Sequence, residues 1–289
     1  MSIGAIYALL AYIIWGLFPA YWKQISAVPA TQIIGHRIVW SFLFMLALTT
    51  ASKGTGRLKA ILADKRTVGV YSLVGALLAG NWLTYVWAVN NGHVVEASLG
   101  YFISPLLNVL LGLLVLKERL YPRQWAAIAL ATAGVVYLTA TYGRLPWIAL
   151  LLAGTFGLYA LLTKTAALDA AEGLTLATGA VFLPALAFLI WQEAQGKGAF
   201  LHAGIKTSLM LAGGGAVTAV PLLLFMLGVR RAPLSVVGLL QYVAPSLQFL
   251  LGVFAYGENF TAQHLVGYAL VWAALAIFGA DALMRGNKE

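Results

Sequence analysis

Apolar residues fill this chain in long unbroken runs, separated by short stretches that carry most of its Lys and Arg. The runs lie at about 2–22, 31–50, 67–90, 96–116, 121–141, 145–165, 172–192, 204–228, 233–255 and 262–284. A helix needs roughly 20 residues to cross a hydrocarbon core. In lipid the backbone must satisfy its own polar groups, so runs of this length predict helices rather than open strands. Pro29, Pro122, Pro146 and Pro233 stand at segment starts, where a missing N–H costs nothing. Trp, Tyr, Lys and Arg gather near segment ends, as interfacial anchors do. The pattern predicts an all-α integral membrane protein with ten transmembrane helices. The first run is read as a span rather than a cleaved leader, because it lacks a basic start and a small-residue cleavage site.

Composition narrows the class. Of 289 residues, 62% are hydrophobic and 9% charged, against roughly 25% charged in soluble domains. A water-facing surface cannot be coated with so few charges, so a lipid bilayer is the expected surroundings. The net charge is +9. With the N-terminus in the cytoplasm, 13 Lys and Arg fall in inside loops and 4 in outside loops, with Arg37 inside a span. That asymmetry, with an even number of spans, predicts both termini in the cytoplasm. The basic residues are not interleaved with aromatics in a dense patch, so nucleic acid is not an expected partner. The absence of cysteine excludes disulfides and thiolate metal sites. The four histidines are scattered without ligand spacing, and Gly213-Gly214-Gly215 lacks the Lys-Ser/Thr of a phosphate loop. No cofactor, metal or enzymatic constellation is expected.

An internal repeat organises the chain. Shifting the sequence by 140 superposes Pro105 on Pro245, Gly112 on Gly252 and Glu118 on Glu258, with eight identities in 32 positions between 89–120 and 229–260. At a shift of 141, Trp15-Gly16-Leu17-Phe18 meets Phe156-Gly157-Leu158-Tyr159 and Lys23 meets Lys164. Apolar bias alone gives Leu–Leu pairs, but not aligned Pro, Gly and Glu at fixed spacing. The expected units are residues 1–141 and 145–284, with a cytoplasmic tail at 285–289. Five spans per unit is an odd number, so the second unit enters the membrane in the opposite sense, an arrangement common in carriers.

The third and fourth segments carry the densest polar and aromatic signal. Asn81, Tyr85, Ala88 and Asn91 share one helical face, and Ser98, Tyr101, Pro105, Asn108 and Gly112 share another. The matching face in the second unit holds Gly238, Gln241, Pro245, Gln248 and Gly252, with Tyr242 beside it. Amides at mid-bilayer need partners, so these faces should point inward, either to line a cavity or to join helices. For Asn108 and Gln248 the two readings balance. Pro105 and Pro245 are candidate hinges by their repeat pairing. Trp15, Trp82, Tyr85, Tyr101, Phe156 and Tyr159 lie deeper than an interfacial belt and suggest an aromatic wall suited to flat or cationic solutes. Arg37, with His36 before it and Trp40 one turn later, is an intramembrane charge that either meets substrate or snorkels to the outer interface. Glu96 is a gate candidate, with a proton as the candidate coupling ion. A carboxylate at a helix N-terminus is the simpler and favoured reading. Glu118 and Glu258 should tie a loop or the next helix.

Three blocks of residues resemble a known family: His36-Arg37-Ile38-Val39-Trp40-Ser41; Gly80-Asn81-Trp82 through Trp87-Ala88-Val89-Asn90; and Glu96-Ala97-Ser98-Leu99-Gly100-Tyr101-Phe102-Ile103 with Pro105 and Asn108. With Gln241-Tyr242, Pro245, Tyr256-Gly257-Glu258 and 272–278, they resemble the RarD branch of EamA-type drug/metabolite transporters over essentially the whole chain. The resemblance implies ten helices in two inverted EamA repeats in a bacterial inner membrane. It implies a cavity walled by helices 1–4 and 6–9, with helices 5 and 10 peripheral. It also implies export or exchange of small molecules, for which amino acids and related zwitterions come first and amphiphilic, chloramphenicol-like drugs second. A non-transporting receptor or scaffold is the alternative of another class. Oligomeric state is left open.

Overall fold

The structure is a computed structural model that describes residues 2–143, 145–256 and 262–286. Arg144, Glu258 and Lys288, with the side chains of Asn90, His264 and Arg285, lie outside what is described. Helices make up the rest almost entirely. They are α1 (Ile3–Gly16), α2 (Phe18–Trp22), α3 (Ala30–Lys53), α4 (Thr55–Ala63), α5 (Lys65–Asn90), α6 (Val94–Leu114) and α7 (Pro122–Tyr142) in the first part of the chain. They continue as α8 (Trp147–Thr165), α9 (Ala170–Ala194), α10 (Ile205–Arg231), α11 (Leu234–Leu240), α12 (Val243–Leu250) and α13 (Ala262–Gly286).

Local chemistry sets many of the boundaries. The Asp64 carboxylate accepts from Arg66 N–H (3.1 Å) to begin α5, and Asp169 accepts from Glu172 N–H (2.9 Å) to begin α9. Pro122 opens α7 at its first position, beside a capping box between Tyr121 and Gln124. Gly54, at φ 78°, supplies the positive dihedral that turns α3 into α4. Leu17 separates α1 from α2, and Pro19 lies in the first turn of α2. The proline has no N–H to offer the Trp15 carbonyl one turn back, and Gln248 Nε2 donates to that carbonyl instead at 3.1 Å. The span at Leu234–Ala255 is not one continuous α-helix: α11 ends at Leu240, α12 follows Tyr242, and a π-helical turn occupies Leu251–Ala255.

Among the described residues eight helical stretches are long and apolar enough to cross a membrane: Ile3–Ile25, Ala30–Lys53, Lys65–Val89, Glu96–Leu114, Trp147–Thr165, Ala170–Ala194, Ile205–Arg231 and Leu234–Ala255. The sequence reading expected ten, and the two further segments are the helices α7 and α13, which pack along each other. The outer faces of the bundle carry exposed Leu83, Leu183, Trp191 and Phe254. Such faces are unstable in water and suited to lipid.

Small residues bring the helices together. α1 packs on α10, α3 on α9 and α10, α5 on α8 and α9, α6 on α8 and α11. A Cβ on Gly75 would lie 2.1 Å from the Ala177 carbonyl oxygen, and one on Gly215 would lie 2.4 Å from the Trp40 backbone. The backbones of α5 and α9, and of α3 and α10, approach because these positions have no side chain.

Candidate functional site

The two ends of the bundle are built differently. Where α9 begins, polar groups close the interior. Lys53 pairs with Asp169, and Arg57 Nε donates to buried Glu172 at 2.8 Å. Thr49 and Thr175 share a 2.8 Å hydrogen bond. Lys164 Nζ donates to the carbonyls of Val229 (2.8 Å) and Ala232 (2.6 Å), and Arg230 Nη2 to that of Ala166 (2.8 Å). The Glu118 carboxylate accepts from Leu234 N–H (2.6 Å), Ser235 N–H (2.9 Å) and Ser235 Oγ–H (2.7 Å), tying the α6–α7 loop to the start of α11.

From mid-bundle to the end where α3 begins, the interior is hollow. A cavity of about 470 Å³ is bounded by α1, α2, α3, α5, α6, α8, α10 and α12. That size suits a small organic molecule. Eight aromatic residues line it: Tyr12, Trp15, Phe18, Trp22, Trp82, Tyr85, Tyr101 and Phe156. The rings brace one another, with Trp15 5.5 Å from Phe225 and 6.1 Å from Phe156, and Tyr85 5.7 Å from Tyr101. Among the described residues none of α7, α9 or α13 lines it. For α7 and α13 this matches their expected peripheral position. The seventh expected span, α9, differs from expectation because its inward face is used up against α3 and α5.

Arg37 is the charged group of the cavity wall. It sits seven residues into α3, about 10 Å from the helix start at 1.5 Å per residue. Its Nε donates to Thr218 Oγ1 at 3.0 Å. The guanidinium lies 4.4 Å from the Trp82 ring, 5.2 Å from Trp22 and 5.6 Å from Phe18, all within cation–π range. Among the described residues no carboxylate pairs with it, and its terminal nitrogens have no protein hydrogen-bond partner. It therefore faces the cavity as an unpaired cation fixed by its stem.

The amides divide. Asn81, Gln241 and Gln248 line the cavity, yet each is already engaged in holding helices together. Asn81 Nδ2 donates to the Leu152 carbonyl (2.8 Å) and to Thr155 Oγ1 (2.9 Å). Gln241 Nε2 donates to Ser104 Oγ (3.0 Å), and its oxygen accepts from Asn108 Nδ2 (2.8 Å). Asn108 itself is fully buried behind the wall. Here the helix-joining reading describes the geometry, and the cavity reading holds only for the edges these groups leave free.

Several expected positions lie outside the lining. Tyr159 is fully buried and stacks on Phe225 at 5.7 Å and 14°, one layer behind Phe156. Tyr242 is buried and donates to the Phe102 carbonyl at 3.0 Å. His36 and Trp40 face a separate cavity of about 230 Å³ shared with α9 and Phe200. The helix wheel explains this: Trp40 is four residues from His36 and shares its face, whereas Arg37 is turned about 100° away. Glu96 is buried, and its Oε1 accepts from Ile148 N–H at 2.8 Å, so it caps the start of α8. Pro105 lies within α6 behind the lining, while Pro245 lines the cavity. The sequence reading left Tyr12, Phe18, Trp22, Ser104 and Thr218 unassigned. Tyr12 and Phe18 lie one turn either side of Trp15, and that spacing is the signal that could have found them.

A polytopic helical bundle with a hollow at one end and polar ties at the other defines a multi-pass membrane protein with an internal cavity. The EamA-like transporter family pattern matches residues 2–140. Protein RarD of Streptomyces exfoliatus is 43% identical over 286 residues, 99% of this chain and 91% of that protein. The Bacillus subtilis uncharacterized transporter YojE is 44% identical over 282 residues, 95% and 93% of the two chains. A solved crystal structure with 21% identity matches 95% of this chain and 96% of its own at a TM-score of 0.69, which shows the shared fold. The chain belongs to the EamA-like transporter family, in its RarD branch. It is a multi-pass membrane transporter.

Proposed function

We propose that the protein is a secondary carrier that exposes this cavity alternately to the two sides of a bacterial inner membrane. In this reading α7 and α13 complete ten spans, arranged as two five-helix units (1–141 and 145–284) of opposite sense. Both termini lie in the cytoplasm, so the sealed end is cytoplasmic and the cavity faces outward. The observation that carries the reading is the contrast between a hollow confined to one end and a breakable polar seal at the other.

Contacts that exchange under the repeat support the inverted arrangement. Gly16 meets Leu247, and Gly157 meets Leu107. Those four positions pair as 16 with 157 and 107 with 247, so one contact is the other with the halves swapped. Phe102 and Tyr242, 140 apart, meet each other at 6.4 Å, as repeat mates on an approximate two-fold axis should. The packing of α1 on α10 likewise corresponds to that of α8 on α5.

The solute is a small metabolite whose carboxylate meets Arg37 and whose apolar body lies among Trp15, Trp82, Tyr85, Tyr101 and Phe156. Amino acids and related zwitterions are the first class to try and amphiphilic drugs the second. Pro245, at the cavity, and Pro105, its repeat mate, lie where the related helices would bend. Glu96, engaged at α8, supports a structural role better than a proton-coupling one. Counterflow in proteoliposomes with labelled aromatic amino acids and aromatic acids tests the reading. Saturable exchange supports it, and no exchange across a broad solute panel contradicts it.

A further inference from the structure

We infer that the cavity selects a flat organic monoanion, a carboxylate on an aromatic body, over the zwitterion or amine of the same shape. The inference rests on the carrier reading above and revises its substrate class, placing aromatic monoanions ahead of the zwitterions named there first. Among the described residues the lining contains one formal charge, the Arg37 guanidinium, and no Asp or Glu. A monoanion brings that charge to neutrality inside a low-dielectric wall. A zwitterion also supplies the carboxylate, but it carries an ammonium into a hollow that offers no counter-charge. An unpaired charge transferred from water into such surroundings is strongly disfavoured.

The groups that could rescue the ammonium are committed elsewhere. Glu96, the acid beside lining residue Ala97, has its Oε1 engaged by Ile148 N–H. Glu193 belongs to the smaller cavity on the far face of α3, where it contacts His202. The Gln241 oxygen accepts from Asn108. The rings of Trp82, Trp22 and Phe18 already face the guanidinium. What remains for an ammonium is neutral amide oxygen and aromatic face beside a like charge. A carboxylate, by contrast, finds the terminal nitrogens of Arg37 free and held in a planar fork suited to two parallel hydrogen bonds.

The experiment compares four probes of one shape: hydrocinnamate (anion), phenylalanine (zwitterion), phenethylamine (cation) and hydrocinnamamide (neutral). Binding to the full-length protein in detergent is read by calorimetry, and exchange by counterflow in proteoliposomes. Hydrocinnamate is expected to bind at least about tenfold more tightly than phenylalanine, with the amine weakest, because the difference is one uncompensated charge. Arg37→Gln should level the order, while Arg37→Lys should keep it at reduced affinity and guards against a folding defect in the first variant. Phenylalanine binding as tightly as hydrocinnamate, or no hydrocinnamate binding, overturns the inference. So does an unchanged order in folded Arg37→Gln. The expected order without counterflow by any probe supports the monoanion site and contradicts the carrier reading. Counterflow of phenylalanine but not hydrocinnamate does the reverse.

Discussion

The two ends of this bundle hold their charges in opposite ways. At the end where α9 begins, Lys53, Arg57, Glu172, Lys164, Arg230 and Glu118 all meet partners across helix boundaries. At the other, Arg37 meets aromatic faces and one hydroxyl, with its terminal nitrogens on the cavity wall. In the proposed carrier, the paired charges would close the passage and the unpaired one would meet the solute. At the cavity end Glu96 and Glu193 also have partners, so among the described residues the difference narrows to Arg37, the one charge of the cavity wall and one without a carboxylate beside it.

Breaking the sealed end should have the largest effect. Glu118→Ala removes the acceptor for two backbone N–H groups and a hydroxyl at the start of α11, which should cost about 2–4 kcal/mol. Thermal unfolding in detergent would register it as a clear drop in midpoint, with Glu118→Gln falling between. At the cavity end, Arg37→Gln should reduce exchange of carboxylate solutes at least about tenfold while shifting the unfolding midpoint little. An equal loss for neutral solutes would assign Arg37 to the fold instead.

A smaller effect is expected from Asp169→Asn. The variant keeps the cap on α9 but weakens the tie to Lys53, so the sealed end should open more often, raising labelling of a cysteine placed there a few-fold. Solvent exposure of this pair keeps its contribution to stability small. The smallest effect is that of pH. Burial raises the Asp169 carboxyl, but the bond from Lys53 and the N–H groups of α9 outweigh it, and the net shift is downward. A depressed carboxyl adds stability above its unfolded value, about 4, and loses it as pH falls through the lower folded value. The same labelling rate should therefore stay flat through neutral pH and rise only in acid.

Much of this was legible in the chain because lipid allows few solutions. The apolar runs carry the helical bundle directly, and eight of them fall on helices long and apolar enough to cross a membrane. Arg37 stood out because a charge inside a span has few roles. The rest depended on which way each face turns. His36, Arg37 and Trp40 are neighbours in sequence, but the 100° step per residue sends one toward the central cavity and two toward α9. Asn108 and Gln241 look alike as polar residues on an inward face. Only their mutual hydrogen bond shows that one hides behind the other. Tyr159 and Tyr242 have the depth of a cavity wall but lie one layer too far back, which spacing along a helix cannot reveal.

The chain contains no cysteine, so single reporters give an unambiguous reading of which end is open. Cysteine at Ile33, on the cavity wall, and at Thr49, inside the seal, can be challenged separately with a membrane-impermeant maleimide. If the protein is an alternating carrier, Ile33→Cys reacts and Thr49→Cys does not in the resting state, and a transported solute lowers the first rate while raising the second. Rates that fail to respond to solute, or that rise together, would contradict it.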